Sequence, residues 1–226
     1  MEAMMLFIVD FDGTISKRDT IDALLEKFAD DRWQQYEQDW LAGKIDAVEC
    51  MSSQLALVKA DNIALESFFR SIELDGSFRH FYAFAKPFAH IVIASDGLDH
   101  AIKVSMQHGN FPELPIFANR LQFDPQGIKM TFPNRQPDCA GGNGNCKCAV
   151  ARAQQAFPAE KVVLIGDGKS DACLAKKADV VFAKGSLVQH CLKHDIPFIP
   201  FSTFDDVLAT IKTWPECHVH FSHHTA

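Results

Sequence analysis

The chain lacks several features that would assign it to a membrane or a nucleic acid. No apolar run approaches the length of a membrane-spanning helix, and no basic segment followed by a long apolar stretch stands at the N-terminus. The 29 acidic residues outnumber the 22 basic ones and give a net charge of -7, which disfavours nonspecific binding to nucleic acids or anionic membranes. We therefore expect a soluble, cytoplasmic protein with no nucleic-acid or membrane partner.

A C-x-x-C pair is also absent. The 7 cysteines are an odd set scattered through regular patterns, which favours reduced thiols over a disulfide framework. Cys139, Cys146 and Cys148 do cluster, and with a histidine they could hold zinc, but without the usual paired spacing this is the less favoured interpretation.

Enough apolar material is present for a substantial core. The 226 residues are 47% hydrophobic and 23% charged, which suits one domain with an insertion or two small domains. Apolar runs at 5–9, 90–94, 161–165 and 180–183 alternate with helical patterns, so we predict an α/β fold with a doubly wound parallel sheet. The predicted domains are a core of residues 1–19 and 87–215 with a small β-hairpin extension, a helical cap of residues 20–86, and a polar tail of residues 216–226.

Polar residues follow three of the predicted strands. They are Asp10 and Asp12 after the first run, Ser95, Asp96 and Gly97 after the second, and Asp167 and Asp171 after the third. Because the carboxyl ends of parallel strands meet in one crevice, we expect these groups to lie close together. The carboxylates suit Mg²⁺, while Ser95 and the amides after it can donate to a phosphate. Lys147, at a predicted helix start, would add a cation for the same anion.

Each motif has an ordinary interpretation when taken alone. Asp-Gly and Ser-Asp-Gly sequences are common turns, and Lys147 in isolation is a surface lysine. A nucleotide loop at 166–170 fails on spacing, because Val163 stands where its first glycine must be and Asp171 replaces the last glycine of a dinucleotide fingerprint. These ordinary interpretations would have to hold independently at all four sites. Because the sites occur in the chain order and secondary-structure context that an active site needs, we favour the functional interpretation.

These motifs resemble the four signatures of the haloacid dehalogenase superfamily of phosphohydrolases. The matching residues are Asp10-Phe11-Asp12-Gly13-Thr14, Ser95, Lys147 and Gly166-Asp167-Gly168-Lys169-Ser170-Asp171. The resemblance implies that Asp10 is a nucleophile that becomes an aspartyl phosphate and that Asp12 is the general acid and base. It implies that Ser95 and Lys147 hold the phosphoryl oxygens. It further implies that Asp167 binds Mg²⁺ with Asp10 and the Asp12 carbonyl, while Asp171 orients Lys147 or the water shell of the metal.

Within that superfamily, the insertion after the first motif resembles the helical cap of phosphoserine phosphatases. Two positions differ from those enzymes: Asp19 replaces a substrate-binding Glu, and Gln54 stands where an Arg would hold the substrate carboxylate. Further features lie outside the four motifs: Asp19 after the first motif, Phe28-Ala29 followed by Trp33, the loop from Cys139 to Cys148 around Lys147, and Ala178-Asp179 with Phe182-Ala183-Lys184. With them, nearly the full length resembles the 2-hydroxy-3-keto-5-methylthiopentenyl-1-phosphate phosphatase family, although Cys148 follows Lys147 where we expect proline in that family.

We predict a Mg²⁺-dependent phosphomonoester hydrolase that acts on a small phosphorylated metabolite, in a monomer or homodimer. Phosphoserine phosphatase activity is one alternative, and a phospho-accepting signalling or binding domain is another.

Overall fold

The protein is described by a computed structural model that covers residues 4–124, 127–139, 141–154 and 159–218. Within these ranges, strands form a seven-stranded sheet in the order β4-β3-β2-β1-β5-β6-β7. The strands are β1 (Met4–Val9), β2 (Ala89–Leu98), β3 (Ile116–Asp124), β4 (Gly127–Thr131), β5 (Ala159–Gly166), β6 (Val180–Ala183) and β7 (Ile199–Pro200). Neighbours pair in parallel except for β3 and β4, which form an antiparallel hairpin. The predicted sheet and hairpin extension are confirmed, while residues 125 and 126, between β3 and β4, lie outside the described residues.

Helices lie between most of the strands. They are α1 (Thr20–Phe28), α2 (Trp33–Leu41), α3 (Ala47–Leu55), α4 (Asn62–Arg70), α5 (Phe78–Ala85), α6 (Asp99–His108), α7 (Lys147–Gln154), α8 (Ala172–Ala175), α9 (Gly185–Lys193), α10 (Phe204–Ile211) and α11 (Pro215–His218), with a 3₁₀ turn at Lys169–Asp171. The sequence pattern also predicts a helix over 149–156, and its last two residues lie outside the described residues. In the part of the chain that the structure describes, no helix has both the length and the apolar character to cross a membrane.

Strand β1 lies at the centre of the sheet and is buried on both faces. Met5, Phe7 and Val9 pack into an apolar cluster with α5, α6 and α10, while Leu6 and Ile8 pack into a second cluster with α7, α8 and α9. Alternate side chains of a strand point to opposite faces, so a continuous apolar run supplies both layers. The strand therefore ends at a fixed position between its two neighbours.

Helices α1, α3 and α4 share a third apolar cluster, which joins them to α6 and to the β3–β4 hairpin. Asp19 caps α1, because its carboxylate accepts hydrogen bonds from the amides of Ile21 and Asp22. The segments that enter and leave this helical region pair with one another through an isolated bridge between Ser16 and Leu74. The helices thus lie over the carboxyl end of the sheet, and the two segments that connect them to the sheet run side by side at this bridge.

Helix α5 packs on the sheet, although the predicted boundary at residue 86 places it in the cap. Phe78 and Phe81 belong to the first sheet cluster, and their rings lie 4.8 and 5.3 Å from the ring of Phe204 in α10. We therefore propose that the cap ends before α5. Cys217, which the sequence places in the polar tail, is buried in the same sheet cluster, and residues 219–226 lie outside the described residues.

Candidate active site

Asp10 is the first residue after β1 and is held at the edge of the sheet. Its amide donates to the carbonyl of Ile165 in the neighbouring strand, at 2.9 Å. Its carboxylate is buried and accepts a hydrogen bond from the amide of Phe11. Burial and nearby carboxylates, with Asp171 the foremost, raise the pKa of Asp10, and the ammonium of Lys147 opposes them.

Lys147 begins α7 and is a buried lysine that lies between two carboxylates. Its Nζ lies 2.9 Å from Oδ2 of Asp10 and 2.5 Å from Oδ1 of Asp171, and it donates to Oγ of Ser170. Only 2% of the residue is exposed. Burial disfavours the ammonium, but the charges of Asp10 and Asp171 outweigh it and raise the pKa of Lys147. The side chain is therefore a permanent cation beside Asp10.

Asp12 lies above this pair and is held by hydroxyl and amide donors. Its Oδ1 accepts from the amide of Thr20 at 2.9 Å and from the Thr20 hydroxyl, and its Oδ2 accepts from Oγ of Ser95 at 3.0 Å. Burial and the charge of Asp19 raise the pKa of Asp12 to about 7, against the lowering effect of the Thr20 and Ser95 hydrogen bonds. A carboxyl group with this pKa can both give and take a proton near neutral pH.

Asp167 and Asp171 lie in the turn that follows β5. Oδ1 of Asp167 accepts from the hydroxyl of Thr14 at 2.9 Å, and burial raises the pKa of Asp167 to about 6. Oδ2 of Asp171 accepts from the amides of Asp167 and Gly168, each at 3.1 Å. Asp171 thus fixes both the turn and Lys147.

Among the described residues, one group of acidic side chains could hold a metal ion. One carboxylate oxygen each from Asp10, Asp167 and Asp171 lie within 4.8 Å of one another. Gly13 keeps this space open, since a Cβ on it would lie 2.3 Å from Oδ2 of Asp167, and its φ of +68° suits glycine. Carboxylate oxygens with room for further ligands fit Mg²⁺.

Ser95, Asp96 and Gly97 belong to β2, which continues to Leu98 rather than ending at the predicted Ala94. The pairing with β3 shifts register between Ala94 and Leu98, so the intervening residues leave the regular ladder and border the site. The buried Ser95 accepts from the amide of Gly97 at 2.9 Å and donates to Asp12. The Asp96 carboxylate instead accepts from the amide of Asn145, at 2.6 Å.

Two asparagines that the sequence interpretation missed support this segment. Asn145, fully buried, donates from Nδ2 to the carbonyls of Ser95 and Phe117 at 2.9 and 2.7 Å. Asn119 donates to the carbonyl of Asp96 at 2.6 Å. One signal in the sequence could have identified Asn145 as a site residue, namely its position two residues before Lys147. Thr20, which holds Asp12, is a further residue that the sequence interpretation missed as part of the site.

A cavity of about 210 Å³ separates this floor from the cap. The floor contributes Asp10, Asp12, Ser95, Asp96, Gly97 and Asp167, the edge contributes Asp19, and the cap contributes Ile21, Asp22, Glu37, Trp40, Ala47, Cys50, Met51 and Gln54. The amide of the buried Gln54 donates to Oε2 of Glu37 at 3.2 Å. Burial, Asp19 and Glu37 raise the pKa of Asp22 to about 6. The cap side of the cavity is therefore acidic and apolar.

One basic side chain joins the cap to the floor. Lys169 is the only cationic residue among the described residues that line this cavity, and its Nζ lies 4.0 Å from the ring centroid of Trp40. Lys147 lies beneath the floor, against Asp10. The structure thus brings together all of the predicted site residues around one cavity or directly below it.

The sequence of the chain matches named phosphatases over most of its length. It is 32% identical over 216 residues to the 2-hydroxy-3-keto-5-methylthiopentenyl-1-phosphate phosphatase of Geobacillus kaustophilus, an alignment that covers 94% of this chain and 97% of the relative. The chain belongs to this phosphatase family. A second member, from an Exiguobacterium species, is 31% identical over 209 residues, with 91% and 96% of the two chains covered. A scan against protein-family models found no match.

Solved structures share the fold of this phosphatase. A HAD family hydrolase from Salmonella enterica serovar Typhi aligns with a TM-score of 0.73 and 17% identity over 94% of this chain and 72% of that one. A substrate-bound phosphoserine phosphatase complex aligns with a TM-score of 0.69 and 18% identity, covering 93% and 99%. The predicted haloacid dehalogenase-type phosphatase fold is therefore confirmed, and the enzyme is a phosphatase.

Proposed function

We propose that this phosphatase hydrolyses a small phosphomonoester through an aspartyl phosphate on Asp10, with Mg²⁺ as cofactor. The observation that carries the proposal is the pairing of Asp10 with Lys147 at 2.9 Å beside Asp12, whose pKa is raised to about 7. A carboxylate next to a fixed cation can attack a phosphoryl group, and a carboxyl group that titrates near neutrality can serve both proton transfers.

The reaction has two displacements. The Asp10 carboxylate attacks phosphorus, the bond to the substrate oxygen breaks, and protonated Asp12 gives its proton to that oxygen. Deprotonated Asp12 then takes a proton from water, which attacks the phosphoryl group and releases Asp10 and inorganic phosphate. Ser95 and Lys147 hold the phosphoryl oxygens during both steps.

The donor set fits Mg²⁺. Asp10 and Asp167 would hold the ion with the Asp12 carbonyl, and Asp171 would position Lys147. When bound, Mg²⁺ offsets negative charge on the phosphoryl oxygens. Thr14 supports this arrangement, because its hydroxyl fixes one oxygen of Asp167 and leaves the other facing Gly13.

The cap lining supports the methionine-salvage enol phosphate over phosphoserine as substrate. The relatives' substrate name contains hydroxy, keto and methylthio groups. Ile21, Trp40 and Met51 offer apolar contact for a methylthio group, while Asp22 and Glu37 can accept from a hydroxyl. A carboxylate such as that of phosphoserine would face these acids without an arginine to hold it.

The test of the catalytic assignment is Asp10→Asn, with the exposed Asp31→Asn as the matched control. We expect Asp10→Asn to abolish p-nitrophenyl phosphate hydrolysis in Mg²⁺ while its circular dichroism spectrum stays unchanged, and Asp31→Asn to retain the rate. Activity of Asp10→Asn near that of the control would remove Asp10 from the assigned role.

A substrate panel tests the second part of the proposal. We expect kcat/KM for the enol phosphate to exceed that for phosphoserine, and the reverse order would favour phosphoserine phosphatase activity. Stable phosphorylation by acetyl phosphate, without turnover, would instead favour a phospho-accepting signalling domain. The cytoplasmic location and the monomeric or homodimeric state stay predictions.

A further inference from the structure

Thr20 directs two hydrogen-bond donors at one oxygen atom of Asp12. The amide nitrogen of Thr20 lies 2.9 Å from Oδ1 of Asp12, and the Thr20 hydroxyl donates to the same oxygen. Only 1% of Thr20 is exposed, so water does not compete for these bonds. The proposed reaction gives a role to Asp12 but none to Thr20.

The place of Thr20 in the fold makes both donors available. Thr20 is the first residue of α1, and the first amides of a helix have no acceptor within that helix. The carboxylate of Asp19 accepts from the amides of the next two residues, which leaves the Thr20 amide for Asp12. Because α1 packs in the apolar cluster that it shares with α3 and α4, the cap fixes the position of Thr20.

The two carboxyl oxygens of Asp12 have different surroundings. Oδ2 accepts from Oγ of Ser95 at 3.0 Å, and a Cβ on Gly97 would lie 2.1 Å from the same oxygen. Ser95 and Gly97 line the cavity above Asp10, whereas Thr20 is not among the described residues that line it. Oδ2 therefore lies on the cavity side of the carboxyl group, and Oδ1 lies on the side of α1.

This difference decides which oxygen carries the proton when Asp12 is neutral. In a carboxylic acid, one oxygen donates its proton and the other remains the acceptor. An amide can only donate, so the Thr20 amide requires Oδ1 to be the acceptor and assigns the proton to Oδ2. Oγ of Ser95, which accepts from the Gly97 amide at 2.9 Å, can also accept from this proton and turn its own hydrogen toward a phosphoryl oxygen.

We propose that Thr20 is a positioning residue for the general acid, which holds Oδ1 of Asp12 so that Oδ2 carries the proton given to the leaving group. The inference rests on the proposed function. In the first step, the bond between phosphorus and the leaving oxygen breaks, and its electron pair takes the proton from Oδ2. In the second step, Oδ2 takes a proton from the attacking water. Oδ1 keeps both bonds to Thr20 throughout.

The proposal predicts a dependence on the leaving group. A leaving group that departs readily as an anion gains little from an acid, whereas a more basic one needs the proton. Loss of the Thr20 hydroxyl should therefore slow substrates with basic leaving groups selectively. A side chain that only supported the fold would slow all substrates alike. Phenyl phosphate and p-nitrophenyl phosphate have similar shapes, and phenoxide is the more basic of the two leaving groups.

The experiment uses the full-length chain in Mg²⁺, with enzyme in excess, so that release of the phenol reports the first step alone. We expect Thr20→Val to slow phenyl phosphate about tenfold more than p-nitrophenyl phosphate. The ratio of the two rates does not depend on the fraction of enzyme that is folded. Thr20→Ser keeps the hydroxyl and should restore the original ratio. Thr213→Val, at an exposed threonine two residues after α10, should leave both rates unchanged.

The residual rates of Asp12→Asn separate the two possible failures. This variant lacks the acid, so it should show the same selective loss as Thr20→Val, and to a greater extent. Selectivity in Asp12→Asn with an equal loss on both substrates in Thr20→Val would overturn the role of Thr20 and leave the proposed function intact. Equal losses in both variants would overturn both the role of Thr20 and that of Asp12 as the acid. A Thr20→Ser variant that behaves as Thr20→Val does would show that the hydroxyl is not what matters and would also overturn the proposal.

Discussion

The Nζ atom of Lys147 lies 2.9 Å from Oδ2 of Asp10, and both side chains are almost fully buried. A buried ion pair gains little over an apolar pair of similar volume, but breaking it leaves an uncompensated charge. Here the ammonium faces two carboxylates, since Asp171 lies on its other side. The pair therefore couples the stability of the fold to the charge state of Asp10.

We predict that Lys147→Met lowers the free energy of unfolding by about 3–5 kcal/mol near neutral pH. Asp10 and Asp171 would then repel one another without a cation between them. Urea denaturation in the presence of EDTA measures the loss, with the exposed Lys193→Met as control. The loss should shrink as pH falls and the carboxylates take up protons, and a pH-independent loss would point to packing alone.

The pH dependence of catalysis tests the role of Asp12. The charge of Asp19 is the second cause, after burial, of the raised pKa of Asp12, about 7. Asp19→Asn removes this charge and keeps a good helix cap, so the pKa of Asp12 should fall. Because the proposed first step needs protonated Asp12, the alkaline limb of kcat should move to lower pH.

Steady-state kinetics on p-nitrophenyl phosphate from about pH 5 to about pH 9 measure this shift. Asp61→Asn, which removes a charge from the cap of the remote α4, serves as the control and should leave the limb in place. An unchanged limb in Asp19→Asn would show that another group donates the proton.

The acidic cap also affects stability. The pKa of Asp22 is raised to about 6 by burial and by the charges of Asp19 and Glu37. The folded state therefore binds more protons than the unfolded state between about pH 4 and about pH 6, and the stability contributed by this group falls as pH rises through that window.

We predict that Asp22→Asn stabilises the protein modestly above about pH 6 and has no such effect at about pH 3, where the carboxyl is largely protonated in both the folded and the unfolded state. Thermal unfolding of the two chains in EDTA at both pH values measures the difference. Equal stabilisation at the two values would show that the substitution acts through something other than charge.

The sequence predicted the sheet and its active edge because both depend on local patterns. The run Met5–Val9 needs burial on both faces, which only a central strand provides, and Asp10 must then stand at its end. The positions of Ser95 and Asp167 follow from the same rule, because each comes after the apolar run of a strand that pairs in parallel with β1. An aspartate directly before a helical apolar pattern, as Asp19 is, also indicates a helix cap from neighbouring residues alone.

What the sequence did not predict depends on contacts between distant segments. Asn145 holds Ser95 from 50 residues away, and no spacing rule connects them. Helix α5 has the helical period of the cap helices, and our proposal to place it with the sheet rests on its contacts with Phe7 of β1 and Phe204 of α10. The extension of β2 to Leu98 likewise arises from its pairing with β3.

The last prediction concerns Gly97, which has no Cβ atom to clash with the carboxylate of Asp12. A Cβ at this position would lie 2.1 Å from Oδ2 of Asp12 and 3.1 Å from Oγ of Ser95. Gly97→Ala must therefore displace the carboxylate or the serine, and we expect kcat to fall by about a hundredfold. The effect should appear in kcat more than in KM, because in the proposed mechanism the displaced groups act on the transferring phosphoryl group.

Gly76→Ala provides the matched control, since a Cβ there would meet nothing within 4 Å. Both variants should unfold cooperatively in urea, which separates a local displacement from a loss of fold. Single-turnover hydrolysis of p-nitrophenyl phosphate measures the chemical step directly. If Gly97→Ala matches Gly76→Ala in that step, the arrangement of Asp12 and Ser95 beside Gly97 does not limit the rate, and the prediction is wrong.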